Sequence, residues 1–419
     1  MAKRKSGDDL DLGNHFRFNL TGLIVFSLCL LGTAFTVGKF SNGLSKPYTF
    51  DDNTGVPDAR ETIAATDGPW GELLAQNINL ERPGELISRE VLKPQAETWV
   101  FHGMNLSQVK SLFAANGLEP QEVEQALTSE RVSRQGNDTV FKPGEDFVFS
   151  LSPERRRKLY GAFYGKNVNF YIDYPYMFPK GTLESIYADP RLDPDEVAML
   201  KKLAYANGEG WQMSDYEMLM SKIPTGQRRI VLSEALSRQP AVLVSLCIRP
   251  DTDIDKLANY WGRMDNVRFD DIRPLMQALK ALPSGGRISL TLLLPPFARA
   301  RLYTYPVPEA GDPPVMDCEW TTFNFSSEQP DNRFNDPAYI FQNLKENYYQ
   351  IDAPTIYGDI ILLIDDRQNF RHSAVYLAGD LAFTKYGNNN SQPWMIVHIS
   401  DMQAMYPTLR PVYFRKKTD

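Results

Sequence analysis

The chain has 419 residues, of which 42% are hydrophobic and 23% are charged, and its formal net charge at pH 7 is −7. This length is enough for two or three domains with their own cores, and the composition excludes a mainly disordered chain. The acidic balance argues against a general nucleic-acid-binding protein, because such a protein needs a basic face that releases counterions.

An apolar segment without a charged residue lies between Arg17 and Lys39, with the sequence "FNLTGLIVFSLCLLGTAFTVG". A helix of this length spans about 30 Å, the hydrocarbon thickness of a bilayer. The basic start "MAKRK" predicts that residues 1–17 form a cytoplasmic tail. We therefore predict a single-pass inner (cytoplasmic) membrane protein with a transmembrane helix over 18–38 and an extracytoplasmic C-terminal part. A cleaved signal peptide and a lipoprotein signal are the alternatives, although no Ala-x-Ala pattern follows the segment and "FSLC" lacks the small residue expected just before a lipidated cysteine.

The rest of the chain divides by its composition and periodicity. Residues 39–90 are rich in turn-forming types and show little periodicity, which is typical of a linker. Residues 91–180 are predicted to form a small helical region, because they show helical periods, the turn "NG" and then the run "FKPGEDFVFSL". This region loosely resembles the LysM-type wall-binding modules. A structural spacer is the alternative. A mixed helical region is predicted over 181–290, and strand-like runs concentrate within 291–419. The predicted fold class is therefore α+β, with a transmembrane helix, a mostly helical middle region and a C-terminal sheet.

The chain has three cysteines, Cys29, Cys247 and Cys318. A disulfide framework would need more cysteines at closer spacing, so only a Cys247–Cys318 bridge stays open as an alternative. CxxC and HxxxH spacings are missing from the sequence, and we therefore predict neither a metal site nor a cofactor.

Cys318 lies in "VMDCEWTTFNF", where Asp317 is a favoured residue for the N-cap of a helix. A thiol near the positive end of a helix dipole, with a histidine nearby, can ionise near neutral pH and act as a nucleophile. A buried structural thiol is the alternative, because that is the usual state of a free cysteine.

A nucleophilic thiol needs a base, and the sequence has four histidines. His15 precedes the apolar segment and His102 lies far upstream of the C-terminal region. His372 begins "HSAVYLAGDLAFTK", which reads as two strands joined by a turn. His398 lies in another strand-like run and is predicted to be structural, so His372 is the predicted base.

These motifs together resemble the NlpC/P60 cysteine peptidases, a branch of the papain-like superfamily. In that family a "DC" motif begins a helix, "GD" precedes a strand, a histidine begins the next strand, and a polar residue follows about a dozen positions later. The corresponding residues of this chain are Asp317-Cys318, Gly358-Asp359, His372 and Thr384. The resemblance covers roughly residues 295–405 and assigns 291–419 to a papain-like antiparallel sheet with helices.

The resemblance implies a catalytic set of Cys318, His372 and Thr384. It also implies that Tyr305, near the position of the family's upstream tyrosine, lines the active site. Two departures are visible: the usual "DCSG" is "DCEW" here, and Thr384 replaces a histidine, asparagine or glutamine. We predict that the bulky Trp320 forms a wall of the substrate cleft, with packing into the core as the alternative.

The predicted function is that of a membrane-anchored extracytoplasmic cysteine hydrolase that cleaves amide bonds in peptidoglycan peptides. The predicted partners are a peptidoglycan peptide or another envelope amide and, through residues 18–38, the membrane, but not nucleic acid. The "DCEW" motif keeps two alternatives open. One is a catalytically degenerate envelope binding or scaffold protein, and the other is a cysteine-dependent acyltransferase.

Overall fold

The computed structural model describes residues 61–62, 68–91, 96–165, 168–264, 266–307 and 315–417. All of them lie in one compact unit that spans Arg60–Asp419. The cytoplasmic tail predicted over 1–17 and the segment 18–38 lie outside the described residues.

The predicted fold class, α+β with a transmembrane helix and a mostly helical middle region, is wrong. The described residues form a mixed α/β structure with antiparallel sheets, and none of their helices is both long enough and apolar enough to cross a membrane. The predicted mostly helical middle region also contains several strands, one of them ten residues long. The reason is that strand pairing between distant segments gives only a weak local pattern in the sequence.

Sixteen strands are present among the described residues. They are β1 (Glu61–Thr62), β2 (Glu72–Leu80), β3 (Trp99–Phe101), β4 (Val132–Gln135), β5 (Asp138–Phe141), β6 (Tyr176–Phe178), β7 (Tyr205–Asn207), β8 (Gly210–Met213), β9 (Gln239–Ile248), β10 (Gly286–Ser289), β11 (Tyr348–Ile351), β12 (Ile360–Ile364), β13 (Phe370–Ala378), β14 (Leu381–Thr384), β15 (Met395–His398) and β16 (Arg410–Lys416).

Sixteen α-helices accompany these strands within the same described residues. They are α1 (Gly84–Val91), α2 (Leu106–Ala115), α3 (Pro120–Ala126), α4 (Glu145–Ser150), α5 (Pro153–Phe163), α6 (Phe170–Asp173), α7 (Thr182–Tyr187), α8 (Pro194–Leu203), α9 (Tyr216–Lys222), α10 (Gly226–Leu236), α11 (Ile254–Trp261), α12 (Asn266–Lys280), α13 (Pro296–Arg301), α14 (Cys318–Phe323), α15 (Pro337–Asn347) and α16 (Ile399–Ala404). Two 3-10 turns cover Leu290–Leu293 and Asn332–Asn335.

A four-stranded sheet with the order β1-β2-β9-β10 connects the N-terminal and middle parts of the chain. Strands β2 and β9 pair antiparallel over their whole shared length, from Glu72 with Cys247 to Leu80 with Gln239. The linker predicted over 39–90 therefore ends earlier, because residues 72–80 are a strand with Leu73 and Ala75 fully buried. A second hydrophobic core lies between β2 and β9 in the sequence, and its members range from Ile87 to Leu236.

The C-terminal sheet has six strands in the order β11-β16-β12-β13-β14-β15, and all its neighbouring strands are antiparallel. Its central strand β12, "IILLI", is buried at every position. Because successive residues of a strand point to opposite faces, Ile360 and Leu362 enter one core cluster while Ile361 and Leu363 enter another. Packing on both faces of this sheet fixes the strands that hold the candidate site.

Candidate active site

Helix α14 places Cys318 at its first residue. The Asp317 side chain accepts a hydrogen bond from the Trp320 N–H at 2.9 Å, so the helix begins where the sequence predicts. The thiol donates to Glu319 Oε2 over 2.9 Å. The helix packs against β13, and the backbone of Ser373, the residue after His372, acts to lower the pKa of the thiol. Cys318 is therefore fixed beside the part of β13 that holds the predicted base.

The structure brings His372 and Thr384 together. Strands β13 and β14 are antiparallel and pair Val375 with Phe383, so Thr384 lies beside the end of β13 that contains His372. The Thr384 hydroxyl lies 3.1 Å from His372 Nε2 and donates its own hydrogen to the Ser373 carbonyl oxygen over 2.9 Å.

These contacts determine which ring nitrogen of His372 has the proton. A hydroxyl has one hydrogen to donate, and that of Thr384 goes to Ser373, so Thr384 accepts a hydrogen bond from Nε2–H. Nδ1 then has a free lone pair. It is buried and has no hydrogen-bond partner among the described residues. An imidazole held in this tautomer has an unprotonated nitrogen that can act as a base.

Two tyrosine rings fix the orientation of the imidazole. The Tyr406 ring stacks on that of His372 with centroids 5.0 Å apart and an angle of 21°, and the Tyr386 ring lies at 5.2 Å. His372 is fully buried beneath them. Neither tyrosine belongs to a motif of the sequence, although Tyr386 lies two residues after Thr384.

The electrostatics of the site favour neutral groups. Burial raises the pKa of the Cys318 thiol well above its usual value, and the Glu319 and Asp317 carboxyls raise it further. Burial lowers the pKa of His372 to about 3. The thiolate expected from the helix dipole is therefore not favoured, because a dipole contributes only about 1 kcal/mol and the desolvation of a buried charge costs more. Near neutral pH the site holds a thiol and a neutral imidazole.

A buried lysine partly offsets the carboxyls around the thiol. Lys385 Nζ donates to the backbone oxygens of Gly387 at 2.6 Å and Asn389 at 3.1 Å. Burial lowers the pKa of Lys385 to about 7, against the attraction of Asp317. Burial likewise raises the pKa of Asp317 to about 7. Lys385 does not orient the base, since its hydrogen bonds are to backbone oxygens.

Cys318 lies on the wall of a cavity of about 840 Å³. Asp317 and Glu319 line it next to the thiol, and so do the two tyrosines that hold His372. Segments far upstream in the sequence complete the wall. The upstream lining residues are Arg157, Tyr160, Gly161, Tyr164, Gly165, Ile172, Asp173, Tyr174, Pro175, Met177, Tyr205, Asn207 and Gln212. The aromatic run "FYIDYPYMFP" at 170–179 thus contributes directly to the cavity.

The two predicted substrate-binding residues lie elsewhere. Trp320 is fully buried, packs against the Phe297 ring and donates from Nε1 to Asn332 Oδ1 at 3.0 Å. Tyr305 is also buried, and its hydroxyl donates to the Ser237 carbonyl oxygen at 3.0 Å. Among the described residues that line the cavity, neither is present.

The remaining candidate groups do not join the site. Cys247 and Cys318 are both buried thiols, so the alternative of a disulfide between them is wrong. His398 Nδ1 lies 3.4 Å from Asp380 Oδ2 at the end of β15, as part of a surface pair. In the described part of the chain, no group of three or more His, Cys, Asp or Glu side chains is placed to hold a metal ion.

No family model, curated protein or solved structure matches this chain significantly. The resemblance to the NlpC/P60 peptidases therefore depends on the motifs themselves and stays a prediction.

Proposed function

We propose that this protein is a cysteine hydrolase of the NlpC/P60 type that cleaves amide bonds in peptidoglycan peptides. Cys318 is the nucleophile, His372 is the general base and Thr384 orients the base. One observation supports this assignment most directly: His372 has its proton on Nε2, held by Thr384, and leaves a buried, unpaired Nδ1 on the strand against which the helix of Cys318 packs.

The first step forms an acyl-enzyme. The Cys318 sulfur attacks the amide carbonyl carbon as its proton moves to His372 Nδ1, and the imidazolium then gives this proton to the leaving amine as the C–N bond breaks. Water, activated by the same nitrogen, hydrolyses the thioester and restores the thiol. Because both groups are neutral at rest, the proton transfer accompanies the attack and does not precede it.

The helix terminus supplies donors for the negative oxygen of the intermediate. The first N–H groups of a helix have no intrahelical carbonyl to bond. In α14 the Asp317 side chain binds the N–H of Trp320, while the N–H groups of Cys318 and Glu319 belong to the same first turn. Backbone N–H groups in this position are suited to stabilise an oxyanion beside the nucleophile.

The cavity fits a peptide-sized ligand. Its volume of about 840 Å³ falls in the usual range of roughly 300–1,000 Å³ for ligand sites. Its wall combines tyrosines with carboxylate, amide and guanidinium groups, so the lining offers both apolar contact and hydrogen bonds. The choice of a peptidoglycan amide comes from the family resemblance alone.

The test uses the full-length protein and a defined mixture of muropeptides, with mass spectrometry to detect new amine and carboxyl ends. We expect cleavage by the unmodified protein and none by Cys318→Ser or His372→Ala. Cys247→Ser is the matched control, because it changes a second buried thiol outside the cavity and should leave cleavage intact. Cleavage that survives in Cys318→Ser would rule out the proposed nucleophile.

A non-catalytic binding role is the second candidate, and one observation favours it. Burial and two neighbouring carboxyls oppose ionisation of the Cys318 thiol, which a degenerate site would tolerate. In that case the unmodified protein binds muropeptides without forming product, and Cys318→Ser binds with the same affinity. Product formation by the unmodified protein excludes this role as the only one.

A further inference from the structure

We propose that Glu319 is a positioning residue that holds the Cys318 thiol in a masked resting state. The inference depends on the proposed nucleophilic role of Cys318. A thiol has one hydrogen, and that of Cys318 points to Glu319 Oε2 at 2.9 Å. The predicted base, His372 Nδ1, has no hydrogen-bond partner among the described residues. At rest the proton is therefore directed to the wrong acceptor for catalysis.

The helix that begins at Cys318 packs against β13, the strand that contains the base. The backbone of Ser373, which directly follows His372 on β13, acts on the thiol to lower its pKa. The Tyr406 ring, which stacks on the imidazole, lines the same cavity as Cys318. In the reactive state the thiol hydrogen turns from the Glu319 carboxylate to His372 Nδ1.

The carboxylate of Glu319 is accessible to a ligand. Glu319 lines the cavity beside Cys318, whereas His372 is not among its described lining residues. A ligand that enters the cavity therefore meets the carboxylate before the base. A hydrogen-bond donor on the ligand can occupy Glu319 and so release the thiol to His372, which couples unmasking of the nucleophile to binding.

Charged and titratable groups from several elements surround the thiol, and Glu319 is the one hydrogen-bonded to it. The others are Asp317, Lys385, Tyr164 and Tyr406, and His372 lies on the strand that packs against the helix of Cys318. Glu319 acts on the thiol through its charge as well as through this hydrogen bond. Glu319→Gln removes the charge and keeps an oxygen that can accept the hydrogen bond, whereas Glu319→Ser removes both the charge and the acceptor at that position.

The experiment measures alkylation of Cys318 by iodoacetamide from pH 6 to pH 10 in the full-length protein, read by mass spectrometry of the peptide that contains Cys318. In Glu319→Gln and Glu319→Ser we expect alkylation at pH 7 to be about tenfold faster, with the midpoint of the profile lower by about one pH unit. Glu328→Gln removes an exposed carboxylate further along the same segment and should leave the profile unchanged.

A profile that stays at the unmodified midpoint in Glu319→Ser would overturn the proposal, even if that variant has a lower Tm, because a purely structural role changes stability but not the thiol pKa. Glu319→Ser decides the question if Glu319→Gln does not fold. Cleavage of muropeptides is scored separately. Faster alkylation without any cleavage supports masking and contradicts the hydrolase, whereas cleavage with an unchanged profile contradicts masking alone.

Discussion

Thr384 is the residue at which this site departs most from the family pattern, and its geometry explains how it can still orient the imidazole of His372. The usual third residue accepts a hydrogen bond from the imidazole N–H. The Thr384 hydroxyl does the same at 3.1 Å because its own hydrogen is committed to the Ser373 carbonyl. The backbone of β13 thus fixes the hydroxyl, and the hydroxyl fixes the tautomer.

Thr384→Val removes the hydroxyl and keeps the shape of the side chain. Without an acceptor at Nε2 the imidazole can place its proton on either nitrogen, and the Ser373 carbonyl loses its donor. We expect kcat for amide cleavage to fall by about 10²- to 10³-fold while KM changes little. The free energy of unfolding should decrease by about 1–3 kcal/mol.

Thr384→Ser is the control, since it keeps the hydroxyl and should retain most of the activity. The comparison separates orientation of the base from packing, because Ser removes a methyl group that Val retains. Equal activity of the Val and Ser variants would contradict the orienting role.

The burial of His372 predicts how stability depends on pH. An unfolded histidine binds a proton with a pKa of about 6.5, whereas burial lowers the pKa of folded His372 to about 3. Between these pH values the unfolded state holds more protons, so the free energy of unfolding must fall as the pH decreases. One such group contributes a slope of up to about 1.4 kcal/mol per pH unit.

We expect His372→Asn to lose this part of the slope between pH 6.5 and pH 4 in urea denaturation experiments. His102→Asn is the matched control, because the His102 side chain is 62% exposed and pairs with Asp138 at the surface. If His372→Asn and the unmodified protein have parallel pH profiles, the folded imidazole is not buried in its neutral form.

Cys318, His372 and Thr384 could be proposed from the sequence because a motif order and a spacing are visible along the chain, and the structure places Thr384 beside His372. The prediction that Trp320 lines the cleft is wrong, and helix geometry explains why. Two residues apart on a helix differ by roughly 200° in direction, so a helix that turns Cys318 to the cavity turns Trp320 into the core. The stacking of Tyr406 on His372 was not predictable, since it depends on tertiary packing across 34 residues.

At the scale of elements, the "GD" motif is structural. Asp359 is almost fully buried and accepts hydrogen bonds from the Thr355 and Ile356 N–H groups. It also forms a two-point ion pair with Arg415, at 2.8 Å to Nε and 2.7 Å to Nη2. This pair joins the turn before β12 to the neighbouring strand β16 and so sets the register beside the site strands.

Arg415→Met should destabilise the fold by about 3 kcal/mol, because removal of one partner leaves a buried charge uncompensated. When Arg415→Met is combined with Asp359→Asn, the loss of unfolding free energy should be smaller than the sum of the single losses, which urea denaturation of the double mutant can measure.

Arg333→Met is the control for the buried ion pair. It removes a 70% exposed guanidinium from a surface pair with Asp331 and should cost less than about 1 kcal/mol. Equal losses of unfolding free energy in Arg415→Met and Arg333→Met would show that the buried ion pair stabilises the fold no more than the surface pair does.

Element prediction succeeded where a pattern is local and failed where it is not. The helix start at Asp317 is visible in the sequence as an N-cap residue before an aromatic run. The pairing of β2 with β9 joins segments that are separated by the whole helical core from Ile87 to Leu236. A strand in such a pair is stabilised mainly by its partner, so the residues of β2 alone predict a strand only weakly. For this reason the sequence predicts a linker there.

At the scale of the molecule, the cavity depends on contacts between segments distant in sequence. The β7–β8 hairpin, which contributes Tyr205, Asn207 and Gln212 to the cavity wall, lies against α16 and the residues after it. Asn207 Nδ2 donates to the Met405 carbonyl oxygen at 3.0 Å, and the Glu209 N–H donates to that of Ala404 at 3.2 Å. Tyr406, which stacks on His372, directly follows this contact.

Gly208 makes this close approach possible. Its φ is +58°, and a Cβ there would clash with the Ala404 carbonyl oxygen. Gly208→Ala should therefore separate the hairpin from α16, loosen Tyr406 and raise KM for the substrate, with faster hydrogen exchange over 205–213 and 399–406.

Gly103→Ala isolates the backbone cost, because Gly103 has a φ of +67° but nothing within 4 Å of the added Cβ. Both variants should lose about 1 kcal/mol from the strained φ, and only Gly208→Ala should affect exchange at 399–406. Unchanged exchange there would mean that the hairpin does not support the cavity wall.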